Sequence, residues 1–163
     1  LWVSIANKGI AHYTTSQNGK LIRLYNEPSQ VNYIRTMHED KTGTIWAGSF
    51  NTGLFKLSAE NIPSGTFQRL TMSDGLPDDA IREIHQDRFG RIMIGTSNGG
   101  LAMLEHDSIK IFSTKNGLPS NKIFSMTEDS LGRLWLATSL GMVYEDVPEP
   151  SNGRDEVLVR VSA

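Results

Sequence analysis

The stretch Ile34–Leu57 reads IRTMHEDKTGTIWAGSFNTGLFKL. Its order returns in Ile81–Leu104, IREIHQDRFGRIMIGTSNGGLAML, and in Ile123–Tyr144, IFSMTEDSLGRLWLATSLGMVY. Each copy opens on Ile, passes two residues to an apolar one, and reaches an Asp: Asp40, Asp87, Asp129. After two intervening residues comes a glycine (Gly43, Gly90, Gly132), then one residue, then an apolar triplet centred on Trp46, Met93 or Trp135. A small-residue step and a second glycine follow. Trp2-Val3-Ser4 with Lys8-Gly9-Ile10 is a fourth copy, truncated at its start. A fixed period of roughly 45 residues marks stacked supersecondary units that bury their faces against one another.

A second element links the copies. Asp74-Gly75-Leu76-Pro77 precedes one and Asn116-Gly117-Leu118-Pro119 the next, with Asn26-Glu27-Pro28 as a degraded version.

Each copy reads as four short strands. In the third copy they are Ile81–Gln86, Arg91–Thr96, Leu101–Leu104 and Ile109–Ser113. Leu21–Tyr25, Phe67–Thr71 and Leu158–Ser162 take the fourth-strand place in the other copies. The Asp before each turn glycine can accept backbone N–H groups, and the glycine can take positive φ. The triplets Ile45-Trp46-Ala47, Ile92-Met93-Ile94 and Leu134-Trp135-Leu136 are apolar on both faces, so both faces must be covered. Blades of a β-propeller, each sandwiched between neighbours, meet that need. No segment has a 3.6-residue apolar period, so almost no helix is expected. The expected fold is all-β, with about four blades of four antiparallel strands at approximately 1–27, 28–73, 74–115 and 116–163. The first blade lacks its inner strand. Propellers close with about 4–8 blades, so the ring is expected to be partial, or completed by other copies through its open edges.

Composition narrows the function. Charged residues at 21% and hydrophobic ones at 38% fit a folded domain. A formal net charge of −2 gives no general attraction to nucleic acid or anionic membranes. The absence of cysteine excludes a disulfide framework, a thiolate nucleophile and a Cys-based metal site. No apolar run reaches the ~18 residues of a membrane helix, and no signal peptide is visible. The chain begins at Leu1 directly in a strand-like run, as a processed or partial sequence would.

The segments Glu128-Asp129-Ser130-Leu131-Gly132-Arg133-Leu134-Trp135-Leu136-Ala137-Thr138 and Asn116-Gly117-Leu118-Pro119-Ser120-Asn121 resemble the two-component-regulator propeller repeat. The resemblance covers about residues 1–146. Met93 replaces the pattern's Trp, Ala137 a Gly and Ser49 a Thr. It implies a non-catalytic sensor ectodomain of a bacterial two-component system. Such a module is extracytoplasmic (periplasmic) and recognises a polar ligand such as a carbohydrate. Further propeller repeats or self-association are the other partners it implies. The tail, Val147–Pro150 and Glu156–Ser162, also resembles the opening strands of zinc-type medium-chain dehydrogenases, against which a fourth strand reached by a long loop is the preferred reading.

Candidate chemistry is weighed on the same register. His38 and His85 share a repeat position and could line a channel, but an ordinary repeat position is the preferred reading. His12 and His106 have no partner at metal-ligand spacing, and no metal or cofactor is expected. Asp40, Asp87 and Asp129 are read as turn formers rather than a catalytic set. Trp2, Trp46 and Trp135 are read as blade-packing residues rather than a sugar platform. Gly99-Gly100 is followed by no helix, so it is no phosphate loop. Loops on a rigid scaffold carry function. The expected ligand face therefore gathers Asn51, Asn98 and Ser139 from one set of loops and Asp78, Asp79, Ser120 and Asn121 from another. Arg82 and Lys122 stand beside the channel. A propeller enzyme (lyase or hydrolase) with its site at a channel mouth, and a self-assembling scaffold, remain as alternatives.

Overall fold

The apolar triplets become the second strand of each blade in the computed structural model, which describes residues 1–6, 8–13, 20–25, 33–106, 108–146 and 159–161. Fifteen strands form four antiparallel sheets in chain order. The first holds β1 (Trp2–Ile5), β2 (Gly9–Tyr13) and β3 (Leu21–Tyr25). The second holds β4 (Ile34–Glu39), β5 (Ile45–Ser49), β6 (Leu54–Leu57) and β7 (Gln68–Leu70). The third holds β8 (Ile81–Gln86), β9 (Ile92–Thr96), β10 (Leu101–Glu105) and β11 (Ser108–Phe112). The fourth holds β12 (Ile123–Glu128), β13 (Arg133–Thr138), β14 (Gly141–Asp146) and β15 (Val159–Val161). This is the all-β blade architecture expected, and among the described residues the first sheet has three strands. The Asn26-Glu27-Pro28 connection and the proposed loop of the tail lie outside the described residues.

Packing follows the two-faced strands. Ile45 and Ala47 join Ile10, Tyr25, Phe55 and Leu57 in a core between the first two blades. Trp46, pointing the other way, packs with Ile81, Ile84, Ile92 and Ile94 of the third blade. Met93, opposite Ile92 and Ile94 in facing, joins Ile123, Met126, Leu134 and Leu136 of the fourth. Each fully buried Leu, Ile or Phe in these layers contributes about 1.5–3 kcal/mol. Trp46 is thus a blade-packing residue, as expected. Trp2 stacks on His12 at 4.1 Å, and Trp135 packs at 4.9 Å from Tyr144 on the face turned away from the third blade.

The Gly-Leu-Pro connections have a structural reason that strand reading alone did not supply. Thr71 and Ser113 cap short 3-10 turns, Met72–Asp74 and Thr114–Asn116, through reciprocal capping boxes. This is why Phe67–Thr71 and Ile109–Ser113 give up their last residue to the turn. Gly75 (φ 101°) and Gly117 (φ 108°) end those turns in the left-handed region. Leu76 and Leu118 then drop into the cores between blades.

The turn aspartates behave as expected. Asp129 accepts from the N–H groups of Leu131 (2.9 Å) and Arg133 (3.0 Å), from Arg133 Nε (2.7 Å) and from Trp135 Nε1 (2.8 Å). Asp40 accepts from Thr42 N–H (2.8 Å), Thr44 N–H (3.0 Å) and Trp46 Nε1 (2.8 Å). Asp87 has no indole above it, because Met93 stands there. It accepts from Phe89 N–H (2.9 Å), Arg91 N–H (2.9 Å) and Arg91 Nε (2.7 Å), the same backbone and arginine donors that Asp129 has beside its indole.

Candidate ligand-binding face

The first strand of each complete blade breaks register at the same point. Pairing with the second strand slips between Ile34 and Thr36, between Ile81 and Glu83, and between Ile123 and Ser125. Such a bulge re-aims one residue out of the alternation. The residues so placed are Arg35, Arg82 and Phe124.

A shared hydrogen bond frames each bulge. The N–H of the residue after the second strand donates to the carbonyl of the residue before the first. These pairs are Phe50 to Tyr33 (3.1 Å), Ser97 to Ala80 (2.9 Å) and Ser139 to Lys122 (3.2 Å). The bulged residue therefore lies beside the loop that follows the second strand. Arg35 sits over the Phe50 ring at 4.5 Å. Arg82 donates through Nε to Ser97 Oγ at 3.0 Å and lies 5.3 Å from the centre of the Phe124 ring on the next blade.

The expected site residues fall at this same end of the blades, with different degrees of freedom. Asp78 accepts through one oxygen from Asn98 N–H (2.8 Å) and through the other from Ala80 N–H (3.0 Å). Asp79 Oδ1 accepts from Met72 N–H and Asn121 Oδ1 from Thr114 N–H, at 2.8 and 2.7 Å. The Ser120 and Ser139 hydroxyls share a 2.7 Å hydrogen bond, and Ser120 Oγ accepts from Lys122 N–H at 3.0 Å. Asn51 and Asn98 are exposed on the loops after β5 and β9. Asp78, Asp79 and Asn121 thus tie successive blades and turns together, while Arg82 and the exposed amides face outward.

Sequence reasoning did not single out Arg35, Phe50, Tyr33 and Phe124. Tyr33, Phe50 and Phe124 are 63%, 55% and 46% exposed. With Ser4, Ala6, Ile34 and Arg35, Tyr33 and Phe50 line an open cavity of about 420 Å³. The signal was in the alignment: Arg35, Arg82 and Phe124 each follow the opening Ile of their copy.

At the other end of the first strands, His38 and His85 both hold a buried Nε2 without a hydrogen-bond partner. His85 Nε2 lies 3.9 Å from Glu128 Oε2. Burial, and then the neighbouring His85, lower the His38 pKa. Among the described residues no three His, Cys, Asp or Glu side chains are grouped to hold a metal. A second cavity, about 390 Å³, opens between the second and third blades beside Trp46, Lys56 and His106. Its indole is already committed to Asp40, and the Lys56 ammonium lies over the Trp46 ring at 5.3 Å.

The comparisons agree with this architecture. Residues 28–51, 75–98 and 117–139 match the family model described as two component regulator propeller. The extracellular domain of a protein described as a hybrid two component system of B. thetaiotaomicron is 27% identical over 97% of this chain, with a TM-score of 0.71. A further extracellular domain of such a system from that organism is 24% identical over 88% of the chain, at a TM-score of 0.63. The chain spans 21% and 19% of those two structures. A streptogramin B lyase shares the fold at 18% identity over 94% of the chain and 47% of its own, with a TM-score of 0.66. No curated protein matches the chain. Among the described residues no helix is long and apolar enough to cross a membrane.

Proposed function

We propose that this chain, three segments of which match the two component regulator propeller model, is a non-catalytic ligand-sensing module of a two-component signal-transduction sensor. The observation that carries the reading is the 27% identity to an extracellular domain of a hybrid two component system, along 97% of the chain. The ligand is a polar molecule such as a carbohydrate, and the module works outside the cytoplasm, in the periplasm. Recognition uses the bulge end of the blades, where Asn51, Asn98 and Arg82 present donors and acceptors. Lys122, Ser120 and Ser139 stand at the fourth blade, and Asp78, Asp79 and Asn121 brace the loops between. The three turn aspartates support a non-catalytic role, since each carboxylate is engaged by backbone and side-chain donors of its own turn. Further repeats of the same family would continue the stack of blades.

The test is thermal melting against a panel of neutral and acidic oligosaccharides. A ligand that binds only the folded state raises the melting temperature in proportion to ln(1 + [L]/Kd). A rise for one saccharide class, lost when Arg82 and Asn98 are both replaced by Ala, is the expected result. Melting unmoved by the whole panel counts against a saccharide sensor.

A further inference from the structure

We propose that Arg35 and Arg82 form a two-guanidinium subsite for the carboxylate of an acidic saccharide, with the exposed rings of Phe50 and Phe124 beside it. The inference rests on the sensing reading above and narrows its ligand from a polar saccharide to an anionic one.

The argument starts from the backbone. Arg35 and Arg82 occupy the same bulge on neighbouring first strands, β4 and β8, so both are turned out at one end of the same pair of blades. Neither forms an ion pair with a carboxylate among the described residues. The nearby acids are committed elsewhere. Asp78 is held by two backbone N–H groups and Asp79 by one. Glu83, which follows Arg82 in sequence, forms no ion pair with either arginine among the described residues. Burial, and then the charge of Arg82, lower the pKa of Arg35, so the two cations stand in each other's field. An anion placed between them relieves that repulsion.

The chemistry selects the kind of anion. A guanidinium offers a planar fork of donors that matches a carboxylate in two parallel hydrogen bonds. Arg82 uses Nε on Ser97, which fixes its plane at 3.0 Å and leaves the terminal nitrogens for a ligand. Phe50 and Phe124 are about half exposed, and each lies within 5.3 Å of a guanidinium carbon. Flat apolar rings next to forked cations suit a sugar that shows a C–H face and carries a carboxylate on its rim. An open cavity of about 420 Å³ adjoins Arg35 and Phe50 on the side of the first blade, where further sugar units of an oligosaccharide would lie.

The experiment is calorimetry of the whole chain with tetragalacturonate and with its carboxyl-reduced product, which differs only in charge and the carboxyl groups. Sodium sulfate is titrated as a third probe. The acidic tetramer is expected to bind at least about tenfold more tightly than the neutral one. Arg35→Gln and Arg82→Gln are each expected to weaken it about tenfold, the loss of one charge-assisted contact. Arg35→Lys, which keeps the charge but not the fork, should recover only part. Equal binding of both tetramers, or undiminished binding by the Gln variants, overturns the acidic subsite and leaves the sensing reading standing. Sulfate binding with the same arginine dependence, but no binding of either tetramer, assigns a free oxyanion and overturns the saccharide. No binding of any probe, with all variants melting as the parent does, overturns the acidic subsite, while the sensing reading stands or falls on the oligosaccharide panel above.

Discussion

Replacing Asp87 by Ala should destabilise the protein by about 4 kcal/mol, the cost of breaking one half of a buried ion pair. Asp87 is fully buried and Arg91 is 5% exposed, with 2.7 Å between Arg91 Nε and the carboxylate. The Ala variant leaves the guanidinium in the protein interior without that countercharge. It also removes the acceptor for Phe89 and Arg91 N–H, which closes the turn between β8 and β9. Phe89 lies at the exposed turn, so water can replace that bond, and the buried charge dominates the loss. Urea unfolding followed by tryptophan emission reads the change, because Trp46 packs against Ile84 and Ile92 of the same blade. With a urea slope of about 2 kcal/mol per M, the midpoint should fall by about 2 M. The double variant Asp87→Ala/Arg91→Met should recover about half the loss, since it no longer buries a guanidinium that has lost its carboxylate. A single variant within about 1 kcal/mol of the parent, or a double variant no better than the single, refutes this reasoning.

Other outcomes follow from the same geometry. A Cβ at Gly48 would stand 2.5 Å from Ile81 Cγ2 and 2.8 Å from Thr36 Cγ2, so Gly48→Ala should cost about 1–3 kcal/mol by overpacking, read as a lower urea midpoint. The lowered His38 pKa means the unfolded chain takes up its proton first as pH falls. His38 should therefore erode stability below about pH 6.5, a slope that His38→Gln flattens in melts from pH 7.5 to 5. The Asp129 carboxyl is held well below its usual range, by the Trp135 indole N–H and then, against desolvation, by Arg133 and Leu131. For Asp40, desolvation alone would raise the carboxyl, but the donors of Thr42, Trp46 and Thr44 outweigh it and lower it. Both groups supply stability that is complete above about pH 4 and fades as pH falls further, so an Asp129→Asn variant should show a shallower acid limb in pH-dependent unfolding.

The blades were legible because packing at a fixed period leaves its mark residue by residue. The triplet Ile92-Met93-Ile94 announces a strand covered on both faces, and Asp87 with Gly90 announces the turn before it. Departures from the pattern were harder to read. Met93 removes an indole donor, and only the folded turn reveals that Asp87 is still held by its backbone N–H groups and by Arg91. The Leu of each Gly-Leu-Pro connection was visible as a motif, but its burial between blades depends on a capped turn that period counting does not resolve. The candidate face divides on similar lines. Which end of the blades would carry it followed from the loops. Which polar groups are already engaged did not, because their partners lie in other loops, as Asn98 lies 20 positions from Asp78. Arg35 and Phe124 stood in register with Arg82 in the sequence, but the bulge that sets the three apart from the strand ladder shows only in the folded pairing.

The bulge has one more consequence. A residue ejected from the pairing register takes no part in the strand ladder that holds its neighbours on either side. Arg, Arg and Phe occupy that place in three successive blades, while the opening Ile before each is retained. The scaffold therefore offers one editable letter per blade, rewritable without respelling the core. On the recognition proposed above, a chain of such repeats would change its ligand by point substitution at the rim and keep the same interior throughout.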